Sequence, residues 1–271
     1  MNTWILTFNR PQALNRQIET FSRWTKVNVF TNHPEVGLTA QNNDLYGRGF
    51  MSILNNTLSD VKSTAYTARS WNSIFLKIFK DQDDGIFVQD DTCITNWEAV
   101  RDLILENREK YDFIWAPAGD QFFYMKRRVL STVGFFDERF STGAFCGDAD
   151  FLKRVWQQYD NTKLSIVEKH DFGFVHNSIG LENYIPTEIQ SKAVDVNYLN
   201  QHQEIQRLDP KDSWMKYAQD FWEQKWGHPL NGVGPLSNFP SPPLLNELWL
   251  YPWFIKTYLG IDGIPSWVKR S

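Results

Sequence analysis

Cysteine is nearly absent from this 271-residue chain: Cys93 and Cys146 are the only two, and no CxxC or comparable metal-like grouping accompanies them. That excludes a disulfide framework, and free thiols in a reducing compartment are expected, hence the cytoplasm, or the host cytoplasm if the source is viral. Long hydrophobic runs are missing too. No window reaches 18 uncharged apolar residues, so no membrane-spanning helix is expected. The first ten residues have neither the basic start nor the apolar stretch of a secretory leader. Positive charge is not in surplus, since 28 Lys and Arg against 32 Asp and Glu leave a net charge of −4. No bulk field therefore draws nucleic acid or anionic lipid, and the densest basic cluster, Lys126-Arg127-Arg128, reads as a solvated face. Internal repeats and low-complexity segments are also lacking.

Aromatic residues are abundant: 12 Trp, 10 Tyr and 20 Phe must be buried or must hold something. Flat indole faces suit the C–H faces of sugars, but an excess of tryptophan is most often core packing. The length allows one large α/β domain, expected over residues 1–230. A Pro- and Gly-rich linker and an aromatic helical tail follow over 231–271, where Trp249, Trp253, Tyr258 and Trp267 suggest packing onto the domain, acceptor contact or self-association into a homo-oligomer.

Periodicity predicts strands at Trp4–Phe8, Val27–Phe30, Gly85–Val88, Phe113–Ala116 and Phe122–Met125. Helices are predicted from Pro11 to about Trp24, over Thr64–Lys80 and Trp97–Arg108, and from about Asp148 to Tyr159, with Arg128–Phe135 helix-like. This alternation predicts an α/β sheet whose ligands lie beyond the carboxyl ends of its strands.

Two groups of residues can carry chemistry. Asp90 and Asp91 follow the apolar run Gly85–Val88, and adjacent carboxylates raise each other's pKa unless a cation neutralises them. A divalent ion such as Mg²⁺ or Mn²⁺, which takes carboxylates together with substrate phosphates, is one solution; two acids opening a helix at Thr92 or capping a turn are the other. The second group is Val133–Phe140 with Gly147-Asp148-Ala149-Asp150-Phe151 and Arg154. An acid at a helix start beside glycines suits a general base, while N-capping and an i,i+4 pair between Asp150 and Arg154 explain the same residues structurally.

Several blocks, in order, resemble the family-2-like glycosyltransferases of GT-A fold. Thr7-Phe8-Asn9-Arg10-Pro11 looks like that family's first strand and turn, and Thr31-Asn32 falls where its second strand ends. Ala68-Arg69-Ser70-Trp71-Asn72 is similar to the helix before the metal motif, and Phe87-Val88-Gln89-Asp90-Asp91 to the metal-binding strand end. Val133–Phe140 with Gly147–Phe151 is similar to the acceptor-side block, Phe174-Val175-His176 to a later segment whose His can complete the metal site, and Phe221–Gly227 to the closing motif. Three positions depart from the pattern: Gln89, Gly147 and Asn32 stand where acids are usual.

The resemblance implies a GT-A, Rossmann-like fold, a mixed and mostly parallel sheet flanked by helices. It implies transfer of a sugar from a nucleotide-sugar donor, UDP-sugar foremost, with Mn²⁺ or Mg²⁺ held by Asp91 and His176. Thr7, Asn9, Arg10, Asn32, Arg69 and Asp90 would contact the donor, and Asp150 and Trp226 would lie on the acceptor side. Asp148 would be the base of an inverting displacement. A glycan is the expected acceptor, ahead of a hydroxymethylated base in phage DNA. A sugar nucleotidyltransferase is the alternative, although no Gly-rich loop follows the first strand, and a non-catalytic carbohydrate-binding protein of similar fold is another.

Overall fold

The computed structural model describes residues 1–7, 11–31, 36–55, 67–79, 82–90, 92–94, 97–115, 122–137, 140, 147–158, 164–166, 174–176, 211–227 and 229. Pro11 opens helix α1 (Pro11–Phe21) between strands β1 (Asn2–Thr7) and β2 (Lys26–Thr31), its fixed φ suiting a first helical turn. Helix α2 (Ala40–Gly47) and strand β3 (Met51–Asn55) follow. Next come helix α3 (Thr67–Ile78), strand β4 (Asp84–Gln89), the short β5 (Thr92–Ile94) and helix α4 (Trp97–Asn107). Strands β6 (Phe113–Trp115) and β7 (Phe122–Lys126) precede helices α5 (Arg127–Val133) and α6 (Gly147–Gln158). The last elements are β8 (Leu164–Ile166), β9 (Phe174–His176) and helix α7 (Lys211–Trp226).

Seven strands form one sheet in the order β3-β2-β1-β4-β7-β6-β8. Neighbours pair in parallel except at β7, which runs antiparallel to both β4 and β6. The expected mixed, mostly parallel sheet flanked by helices is therefore what the chain forms. Side chains alternate between its faces, as the pleat requires. Trp4, Leu6, Phe87, Phe123 and Met125 enter a layer with α3, α5 and α6. Ile5, Ile86, Val88, Phe122 and Tyr124 enter the opposite layer with α1 and α4. Buried on both faces, the central strands read as near-continuous apolar runs. The first layer is dominated by aromatics: Phe136 stacks on Phe151 with centroids 4.4 Å apart, and Phe87 on Phe123 at 4.9 Å. Each such side chain contributes roughly 1.5–3 kcal/mol by burial.

Several boundaries and elements differ from expectation. The α2–β3 unit was not foreseen, because α2 buries only Asn42 and carries no apolar stripe. Asn15 organises its approach: the Asn15 amide donates to the Gly37 carbonyl at 2.9 Å, and its Oδ1 accepts from the Thr39 amide at 2.9 Å. Gly37 has φ of 61°, and a Cβ there would lie 2.8 Å from Pro11 Cβ, so glycine is required on both counts. The alternative of a helix opening at Thr92 is overturned, since Thr92–Ile94 is a strand paired with β9. The basic triplet is less bland than expected: Arg128 Nε donates to buried Asp112 at 2.6 Å, and Lys126 lies 3.6 Å from the same carboxylate. No helix among the described residues is long and apolar enough to cross a membrane. The predicted linker and tail, 231–271, lie outside the described residues.

Candidate active site

The chain leaves β1 through α1 in one layer to reach β2, and returns through α3 in the other layer to reach β4 on the far side of β1. The connections thus diverge at the carboxyl ends of β1 and β4, the topological switch point where open α/β sheets place their ligands. Thr7 ends β1 and Thr31 ends β2, while Gln89 ends β4 and is followed by Asp90. The two central ends are tied together. The Asp90 amide donates to the Leu6 carbonyl at 3.0 Å, and the Thr7 hydroxyl donates to Asp90 Oδ2 at 2.5 Å. Both side chains are buried. Asp90 is thus a bracing carboxylate that ties the end of β4 to the end of β1.

Two helix starts reach the same edge. Helix α3 leads into β4 and helix α6 into β8, and both strands run parallel to β1. A helix that precedes a strand of such a sheet returns antiparallel to it, so its N-terminus lies at the carboxyl edge. Arg69 and Asp148 occupy those first turns. Asp148 is half-buried in the first turn of α6, where an acidic side chain suits the positive end of the helix dipole.

The neighbouring Asp150 has a different fate. It is fully buried, and its Oδ2 accepts from Arg154 Nε at 3.0 Å and Nη2 at 2.9 Å, realising the i,i+4 pair. Its Oδ1 accepts from the Trp226 indole at 3.0 Å and lies 2.6 Å from Lys225 Nζ. Lys225 also donates to buried Asp137 at 2.8 Å, so α7 is stapled to the start of α6 and to the chain after α5. Arg154 extends the staple to the carbonyls of Val133 at 2.5 Å and Phe135 at 2.8 Å. Asn72 of α3 completes it, exchanging two 2.9 Å hydrogen bonds with the Phe136 backbone. Gly134, at φ of 80°, lets the chain turn out of α5 into this cradle. Lys153 lies in the same interior with its ammonium 3.8 Å from the Trp226 ring centroid. Burial, with nearby Lys225, outweighs the attraction of Asp150 and pulls Lys153 down to about 8. Neither Asp150 nor Trp226 presents surface to an acceptor.

The ribbon of β5 and β9 brings another pair of expected residues together. Its register sets Thr92 opposite His176, so the backbone of His176 lies across from the residue that follows Asp91. An aspartate oxygen and an imidazole nitrogen form a donor set that Mn²⁺ accepts, and Mg²⁺ tolerates through the oxygen. The Asp91, Asn9, Arg10 and Asn32 positions, and the side chains of Arg69 and His176, lie outside the described residues. Among the described residues no group of three or more His, Cys, Asp or Glu side chains converges.

Comparison with known proteins gives structural likeness alone. S. aureus TarS matches at 12% identity over 82% of this chain and 49% of its own, with a TM-score of 0.48. This chain therefore spans about half the length of TarS. Glucosyl-3-phosphoglycerate synthase from Mycobacterium tuberculosis, in complex with Mn²⁺, UDP and glucosyl-3-phosphoglycerate, matches at 10% identity over 72% of this chain and 81% of its own, TM-score 0.49. A Bacillus anthracis protein described as a putative glucose-1-phosphate thymidylyltransferase, in complex with a sucrose, matches at 11% identity over 75% and 99%, TM-score 0.42. No family model matches, and no curated protein does.

Gln17 and the Asp137–Lys225 pair were not anticipated as part of the site's support. Gln17 left a trace in the sequence, as a polar residue on the α1 face that also carries Ala13, Leu14, Ile18 and Phe21, all buried. The pair left none, because its members are 88 positions apart.

Proposed function

We propose that this chain is a metal-dependent glycosyltransferase that moves a sugar from a nucleotide-sugar donor to an acceptor hydroxyl. The observation that supports the reading is the switch point between β1 and β4, where Asp90 braces the end of β4 against β1 and the β5–β9 register sets the His176 backbone opposite Thr92. Thr7, Asn9, Arg10, Asn32 and Arg69 belong to segments that end or begin at that edge and are the donor-binding candidates. Asp91 and His176 would hold Mn²⁺ or Mg²⁺, which when bound neutralises the charge of a departing diphosphate.

Asp148 is our candidate base. Its carboxylate would accept the proton of the acceptor hydroxyl as that oxygen forms the new bond to the anomeric carbon, while the bond from that carbon to the diphosphate oxygen breaks. The displacement inverts the anomeric centre. The cradle of Asp150, Arg154, Lys225 and Trp226 would hold the α6 start in place, so the acceptor-side role expected of Asp150 and Trp226 becomes one of support. A glycan hydroxyl is the preferred acceptor, and UDP-sugars are the first donors to test.

Release of nucleoside diphosphate from a panel of UDP-, GDP- and dTDP-sugars, with and without Mn²⁺, tests the reading. Metal-dependent release from one donor class is expected. Asp91→Ala should lower it about a hundredfold or more, since the ion supplies several kcal/mol and each 1.36 kcal/mol is tenfold in rate. Silence across the panel would favour a non-catalytic carbohydrate-binding protein, and near-normal turnover by Asp91→Ala would place the site elsewhere.

A further inference from the structure

Gln17 lies on the buried face of α1 with only 3% of its surface exposed. Its Nε2 donates to the Thr92 carbonyl, which belongs to β5 rather than to the main sheet, while its buried Oε1 has no hydrogen-bond partner among the described residues. A buried acceptor without a partner is unfavourable, so this carboxamide is a poor choice for stability alone. An apolar side chain of the same length would suit this face of α1, which also carries the buried Leu14, Ile18 and Phe21, without that orphan acceptor. What glutamine adds is a single directed bond to the residue that follows Asp91.

That bond is placed where it matters for the proposed site. Thr92 is covalently joined to Asp91 and sits opposite His176 in the two-stranded ribbon. Among the described residues the ribbon pairs with no strand of the large sheet, and the Gln17 bond ties it to α1. Thr7 and the Leu6 carbonyl fix the chain on one side of position 91, through Asp90, and Gln17 fixes it on the other, through Thr92.

We propose that Gln17 is a positioning residue for the divalent-cation site: it anchors the Thr92 carbonyl to α1 and thereby holds the backbone that carries Asp91 and faces His176. The inference rests on the reading of that site as a cation site. Residues that orient metal ligands without touching the ion change affinity by roughly 10- to 100-fold when removed.

The experiment is a titration of Mn²⁺ in the presence of UDP, followed by the electron paramagnetic resonance of free Mn²⁺, on the full chain as wild type, Gln17→Met and Gln17→Glu. Gln17→Met removes the directed bond and the orphan acceptor together, so its Tm should stay within about 4 °C of wild type, the shift that about 1 kcal/mol produces at this size. Its Mn²⁺ dissociation constant should rise about tenfold or more. Gln17→Glu keeps the shape but lacks the amide donor, and should weaken Mn²⁺ similarly. Unchanged Mn²⁺ affinity in both variants overturns the inference, whether or not Tm falls, because a merely structural role moves Tm alone. Wild-type protein that takes up no Mn²⁺ with UDP overturns the reading of the site itself, and this inference with it.

Discussion

At the scale of single residues, buried polar groups do most of the specifying. Asp90 and Asp91 are neighbours in sequence; the first is turned inward to Thr7, and the proposed cation site therefore rests on the second. The sequence shows why two acids there are costly; it does not show which is braced, because the partner on β1 is 83 positions away. Asp150 and Arg154 were legible, since their spacing is one helical turn. Lys153 was not, because nothing local marks a lysine as destined for an interior beneath tryptophan. Its ionisation provides a test. Lys153 is held near 8 against an ordinary 10.5, chiefly by burial, so between these values the unfolded chain carries a proton that the folded chain has lost. Stability contributed by this group therefore rises as pH climbs from about 8 toward 10. Wild-type urea midpoints measured at pH 7, 8, 9 and 9.5 should gain on those of Lys153→Met across that range. Parallel curves would show that Lys153 keeps an ordinary pKa.

At the scale of elements, periodicity located what is amphipathic and missed what is not. Helices α1, α3, α4 and α6, and strands β1, β2, β4, β6 and β7, were each placed to within a few residues, because their apolar faces dock on one sheet. The α2–β3 unit escaped because its helix buries an asparagine held by Asn15, so the determining contact is polar and tertiary. The closing helix α7 was read as a motif without a shape. Its role follows from its contacts: Trp222, Lys225 and Trp226 are buried, and Lys225 bridges Asp137 and Asp150. Removing one member of a buried ionic cluster leaves the others uncompensated, at a cost of about 3–5 kcal/mol. Lys225→Met should therefore lower unfolding free energy by that amount in urea melts. A loss below about 1 kcal/mol would mean that α7 is not anchored through this lysine.

At the scale of the whole molecule, strand order decides where chemistry is possible. Six strands of the large sheet run one way and β7 the other, so the ends of β1, β2 and β4 and the starts of α3 and α6 share one edge. Residues quoted from distant parts of the sequence, Thr7, Asp90 and Asp148, are brought to that edge by connectivity. The sequence showed the order of these elements but not the pairings, since which strand lies beside β1 depends on crossovers through both layers. The edge makes a demand of Asp148 that its local surroundings do not. If α6 serves only as packing, Asp148 is a half-exposed carboxylate whose replacement by asparagine changes little. If α6 delivers a base to the site, Asp148→Asn should leave UDP affinity within about twofold, because the proposed donor contacts come from the segments of β1, β2 and α3 rather than from α6. Sugar transfer should meanwhile fall about 10²- to 10⁴-fold, the usual contribution of a positioned base. Calorimetric titration with UDP and single-turnover transfer on the same preparation separate the two outcomes, and transfer at wild-type rate would return Asp148 to the role of a helix-start acid.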